Sequence, residues 1–299
     1  MSEERRNPDH AGFRRLMLCR IFVLAWFAAT IIASLFPQSS AGGAAAGIQF
    51  LALLGFVLVH ASLAGGWPGA FAFFAIMGAA SFVLEAISIA TGVPFGFFHH
   101  NTAGPRLLGV PMAVPIGYAV FGWPAWAQTM TLMRSLGTTS RTALLSAPVV
   151  GTFLLAGYDY PWDPIGATVL KVHGFRDPSG LFGVPLSNFL GWLVTGWVAF
   201  QILARVQRGF VRTSAAETMT FALLPPMIWI GTALSYFLQY AVAAPGTTSV
   251  GERTFVIADI YEASAAISLP AMILPAIITI IAAISRPRLI SVAPADTSG

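Results

Sequence analysis

The sequence predicts an all-α protein, a polytopic bundle of about eight transmembrane helices with both termini on the cytoplasmic side. Three observations predict it. Of 299 residues, 56% are hydrophobic and 9% charged, with a mean hydropathy of +0.75, which leaves too little polar surface for a water-soluble globule. Apolar runs reach the roughly 20 residues that a membrane-spanning helix needs, and almost every charge falls between them. The basic residues are also one-sided. With the N-terminus inside, Arg5, Arg6, Arg14, Arg15, Arg20, Arg134, Arg141, Arg205, Arg208, Arg212, Arg286 and Arg288 lie inside, whereas only Arg106, Lys171, Arg176 and Arg253 lie outside.

In chain order the spans read 16–36, 43–64, 65–90, 107–133, 142–157, 182–204, 218–241 and 255–284. The first follows Arg14 and Arg15, and no small-residue cleavage site precedes it, so no cleaved leader is expected. The second begins in alanine and glycine, which suit a loop as well as a helix, and the third carries a single charge, Glu85. The whole chain, 1–299, reads as one transmembrane domain, with 1–15 a cytoplasmic tail and 288–299 a flexible C-terminal tail. A cytoplasmic membrane is its expected place, with membrane lipid as its expected partner. Twenty prolines and 29 glycines within such a chain imply kinked helices around a cavity, because lipid does not tolerate exposed backbone. Cys19 is the sole cysteine, which excludes disulfides within the chain and cysteine-based metal knuckles. The pI near 9.6 does not indicate nucleic acid, since the basic residues are dispersed at helix ends and form no stripe.

A phrase recurs. Residues 109–123 match 183–197 in seven of fifteen positions, including Gly-Val-Pro at the start and Gly-Trp at the end. The same 74-residue offset puts Glu85 on Asp159, Gly92 on Gly166 and His99 on His173, which predicts an internal parallel repeat of about 85–123 and 159–197 whose polar ends meet. Seven acids, Glu85, Asp159, Asp163, Asp177, Glu252, Asp259 and Glu262, fall at the outer half of the bilayer or beyond it, together with His99, His100 and His173. The two long outer connections, 91–106 and 158–181, are apolar enough to dip back as caps over a pocket on the outer side.

Several residues there suit chemistry. A carboxylate at Glu85 costs a few kcal/mol unless it is paired, hydrated or protonated, a setting that suits a proton donor. The plain alternative is an interfacial Glu bonding a loop; its counterpart Asp159 favours function. Residues 158–164 set Asp159 and Asp163 among Tyr158, Tyr160 and Trp162, and Pro164 is expected to hold Asp163 out of helix. Asp259 and Glu262 form a further acidic pair, and His99, His100 and His173 suit hydrogen bonding or proton relay. Metal-ligand spacings such as H-x-x-x-H or C-x-x-C are absent, so no metal site is assigned. The Gly-Val-Pro segments read as helix starts, with Asn188 adding a polar group in the second where the first has Val114. Gly117, Gly191 and Gly196 read as close helix packing, His60 and Met77 as core. Trp162, Trp192 and the nearby tyrosines could face a cation.

The residues from Glu85 through Gly92-Val93-Pro94-Phe95-Gly96 to Pro115, and from Asp159-x-x-x-Asp163-Pro164 to Trp192, resemble the integral-membrane carotenoid biosynthesis family, whose members include carotenoid 1′,2′-hydratases and the bisanhydrobacterioruberin hydratase of halophilic archaea. The resemblance covers about 70–200. It departs at Phe97-Phe98-His99-His100, where the family is tyrosine-rich, and at Lys171-Val172-His173-Gly174, where it has tryptophans. It implies acid-catalysed addition of water to the terminal 1,2 double bond of an acyclic carotenoid or other polyisoprenoid end group, giving a tertiary alcohol without a redox cofactor. Asp159, Asp163 or Glu85 would give the proton, another acid would position water through His173, and Asn188 would orient the pair. Two other classes remain open at this point: a Mg²⁺-dependent membrane prenyltransferase using Asp159 and Asp163, and a non-enzymatic transporter or lipid-binding protein.

Overall fold

The computed structural model describes residues 8–138, 140–207 and 213–285. The charged residues at positions 3–6, Arg208, Arg212, and everything from Arg286 on, including the expected tail at 288–299, lie outside them. The protein is an all-α membrane bundle. Its helices are α1 (Pro8–Leu35), α2 (Ser40–Thr91), α3 (Ala113–Ser135), α4 (Ser140–Asp163), α5 (Leu186–Val206), α6 (Met219–Ala241), α7 (Ile257–Ser268) and α8 (Leu274–Ser285). Six stretches are long and apolar enough to cross a membrane: His10–Leu35, Ser40–Thr91, Arg141–Val169, Leu186–Val206, Met219–Ala241 and Ile257–Ser285. The first helix starts at Pro8, so half of the expected tail 1–15 is helical.

The second stretch holds 52 residues, which at 1.5 Å each is about 78 Å, more than twice a hydrocarbon core of about 30 Å. It is broken at Gly65 and Gly66, where the backbone leaves the helix (Gly66 φ 67°, ψ 177°), at the boundary expected between the second and third spans. Helix α3 is too polar to stand among the six, and its surroundings explain why. It packs against α2, α4, α6 and α8, with Ala119, Val120, Ala125 and Gln128 wholly buried, so it faces protein instead of lipid. At the core, Trp123 Nε1 donates to His60 Nδ1 at 2.9 Å, which leaves His60 Nε2 to donate to the Phe221 carbonyl at 3.0 Å. His60 and Met77 are both fully buried packing residues.

Two expectations need correction. Residues 158–163 are not loop: α4 runs on to Asp163 and continues as a π-helix, Pro164–Val169. Pro161 stands inside α4 and Pro164 at the first position of the π segment, and each removes a helix hydrogen bond without ending the helix. Asp159 and Asp163 therefore stand four residues apart on one helix face. The Gly-Val-Pro segments, in turn, are tight turns ahead of the helices. Leu108 and Phe182 both take φ 49°, Gly109 and Gly183 take φ 84° and 94°, and Leu107 bridges Val110 as Leu181 bridges Val184. Helices α3 and α5 start only after them, at 113 and 186 instead of 107 and 182.

The connections gather at one end. Strand β1 (Phe98–His100) pairs antiparallel with β4 (His173–Phe175), joining the two long connections to each other, with Phe98 opposite Phe175, His99 opposite Gly174 and His100 opposite His173. The pairs His99–Gly174 and His100–His173 exchange under the 74-residue offset. Between them lies the small β2–β3 ribbon (Arg106–Leu107 with Val110–Pro111). A hairpin of β5 (Thr247–Val250) and β6 (Arg253–Val256) leans on this cap, where Thr248 donates to the Thr168 carbonyl at 2.8 Å and Arg253 to that of Gly180 at 3.2 Å.

Candidate active site

Under the paired loops lies a cavity of about 250 Å³. The last turns of α2 bring Glu85 to it, the end of α4 brings Tyr158, Trp162 and Asp163, and the first turns of α5 bring Asn188 and Trp192. Strand alternation brings His100 and His173. Their residues sit opposite each other and so point to one face of the ribbon, their rings 6.4 Å apart, while His99 points to the other face and is exposed. Phe95, Phe98, Tyr118, Phe121 and Phe175 complete an aromatic wall. Among the described lining residues none is lysine or arginine.

The polar groups are not scattered. Asn188 Nδ2 donates to Asp159 Oδ2 at 3.2 Å and also to Asp163 Oδ2, so one amide bridges two carboxyl groups. Asp159 is fully buried behind the wall, and its Oδ1 has no hydrogen-bond partner. Asp163, 4% exposed, faces the cavity and has His173 Nε2 at 3.6 Å from its Oδ1, longer than a hydrogen bond. Across the cavity, His100 Nε2 meets Glu85 Oε2 at 2.8 Å, with Glu85 5% exposed. The site is thus an acid pair tied by an amide on one side and a carboxylate–imidazole pair on the other.

The aromatic rings stack rather than merely fill. Tyr118 lies on Trp192 with centroids 4.1 Å apart at 18°, and Phe121 on Tyr158 at 3.6 Å and 16°. Tyr118, Phe121, Phe95, Phe98 and Phe175 were not among the sequence candidates. The signal for Tyr118 was available, because the offset places it on Trp192, the ring that it touches. Conversely, Asp259 and Glu262 are exposed on α7 and do not line the cavity, so the structure does not bring them or His99 to the site.

Gly191 and Gly196 are packed as expected: a Cβ on Gly191 would fall 2.2 Å from the Phe95 ring, and one on Gly196 would meet Thr152 at 3.3 Å. Gly117 corrects that expectation. A Cβ there would meet nothing within 4 Å. A second cavity of about 250 Å³ lies at the opposite end of the bundle, between the α2 break and the ends of α3 and α5; Arg134 and Gln207 line it, and no carboxylate does. Among the described residues no group of three or more His, Cys, Asp or Glu is arranged to hold a metal ion.

Residues 45–257, more than two thirds of the chain, match the family described as "Carotenoid biosynthesis protein". The bisanhydrobacterioruberin hydratase of Haloarcula japonica is 33% identical over 124 residues, 40% of this chain and 39% of that protein, so the match spans about two fifths of the curated relative's length. No solved structure matches. The chain belongs to the carotenoid biosynthesis protein family.

Proposed function

We propose, with family membership as the premise, that the chain hydrates the terminal double bond of an acyclic carotenoid end group. One observation carries this reading: the Asn188 amide ties Asp163, on the wall of an aromatic-lined cavity, to Asp159 buried behind it. Two carboxyl groups held this closely repel unless one proton lies on the pair, and a proton kept in a dry pocket is what an unactivated alkene requires.

Asp163 gives that proton to the less substituted alkene carbon, whose π electrons form the new C–H bond. A tertiary cation is left on the neighbouring carbon, faced by the π systems of Trp162 and Trp192. Water held by the Glu85–His100 pair adds through its oxygen, and its surplus proton passes to Glu85. Return of the proton through His100 and His173 to Asp163 closes the cycle, so the net change is one water added across the bond.

The same reading places eight crossings in a prokaryotic cytoplasmic membrane, counting α2 as two and α3 as one, with both termini cytoplasmic and the acid site near the outer face. It also takes 85–123 and 159–197 as copies of one unit. The test is expression in a host that makes acyclic carotenoids, grown in water carrying heavy oxygen. A hydroxylated carotenoid with the label is expected; product without it, or no product, overturns the reading.

A further inference from the structure

A cavity of about 250 Å³ is smaller than the roughly 300–1,000 Å³ of pockets that enclose a drug-sized ligand, so it holds an end group and not a whole polyene. The rest of the chain must leave, and the lining shows where. Thr102, Ala103 and Ala113 are its exposed members, which sets the mouth between the 101–104 loop and the first turns of α3. The residues that flank it in sequence are mostly apolar and exposed, Leu107 54%, Leu108 70%, Met112 46% and Ile116 40%, while the guanidinium of Arg106 is occupied with the His100 and Thr102 carbonyls. Such a rim suits acyl chains, not water.

Gly117 lies just inside this mouth. It is half-buried and lines the cavity, and the space over it is empty, whereas its counterpart Gly191 is covered by the Phe95 ring. The offset explains the difference, because the residue in Phe95's place in the second segment is Val169, and no atom of it comes within 4 Å of a Cβ on Gly117. Close packing therefore does not account for a glycine at 117.

We propose that the isoprenoid chain of the substrate leaves the cavity sideways into the membrane over Gly117, and that the missing side chain there sets what can pass. This rests on the hydratase reading, and the experiment separates the two. Purified wild type and the variants Gly117→Ala and Gly117→Leu are given an acyclic carotenoid and, separately, a ten-carbon alkene with the same trisubstituted terminal double bond. Leucine favours helix over glycine, so the variants are expected to fold, which thermal melting in detergent checks. The expected result is a loss of about tenfold or more with the carotenoid in Gly117→Leu, the size of one crowded contact in a pocket, a smaller loss in Gly117→Ala, and in both variants a loss with the short alkene well below that with the carotenoid. Full turnover of the carotenoid by Gly117→Leu places the exit elsewhere. Equal loss of both substrates assigns Gly117 to the reacting end, which also overturns the proposal. Wild type that hydrates neither substrate sinks the hydratase reading itself.

Discussion

The segments 85–123 and 159–197 share a turn geometry, a register and a pair of stacked counterparts, Tyr118 on Trp192, yet they equip the cavity differently. The second supplies Asp159, Asp163 and Asn188; at the matching positions the first has Glu85, Ile89 and Val114. The first instead supplies His100 against Glu85, where the second has Gly174. One segment holds two carboxyl groups on one amide, and the other holds one carboxylate on one imidazole. Two segments with one turn geometry thus bring two unlike pairs to face each other, which is what the proposed reaction, with one proton to give and one to collect, requires.

The comparison breaks most readily at Asp163. Asp163→Asn keeps the shape and removes the proposed donor, and hydration is expected to fall by about 10³–10⁴-fold, the upper part of the range for a lost general acid. Glu85→Gln, on the water side, is expected to cost about 10²-fold. Labelled-product assays in membranes rank the two, and a deeper loss in Glu85→Gln would exchange the roles of the segments. Next comes the packing contrast. Gly191→Ala drives a methyl group into the Phe95 ring and is expected to destabilise by about 1–3 kcal/mol. Gly117→Ala meets nothing and is expected to hold or gain stability, by up to about 1 kcal/mol from helix propensity. Equal melting shifts for the two variants would erase the distinction between a packed and an open glycine.

Much of the site was legible because the offset carries chemical information. Glu85, Asp159 and His173 come from matching one segment to the other and Asn188 from a position where the two differ, whereas Asp163 and Trp192 were read from their own surroundings; all but the buried Asp159 line the cavity. The helix that carries Asp159 and Asp163 was not legible. Pro161 and Pro164 signal a loop on local grounds, and the helix runs through both only because the bundle packs around it. Asp259 and Glu262 mislead for another reason: hydropathy places an acid at a depth in the membrane but not on a face of its helix, and these two face away. Gly117 and Gly191 are one letter in one motif, and the ring that separates them comes from position 95, far off in sequence.

The smallest effect is the sharpest test of whether the offset or the strand face decides a residue's role. His99 and His173 are counterparts in sequence, but alternation along β1 turns His99 out and presents its neighbour His100. If the face decides, His99→Ala should keep turnover within about twofold of wild type, as exposed substitutions generally do. His173→Ala should lower it by about tenfold, because His173 stands 3.6 Å from Asp163 and in the proposed cycle returns its proton without being the donor. A relay is slowed by its loss most where protons are scarce, so the defect should grow as pH rises and shrink in buffers whose small acids can reach the cavity. A His99→Ala defect as large as that of His173→Ala would mean that sequence kinship outweighs the strand face, and that the relay runs over the exposed side of the ribbon.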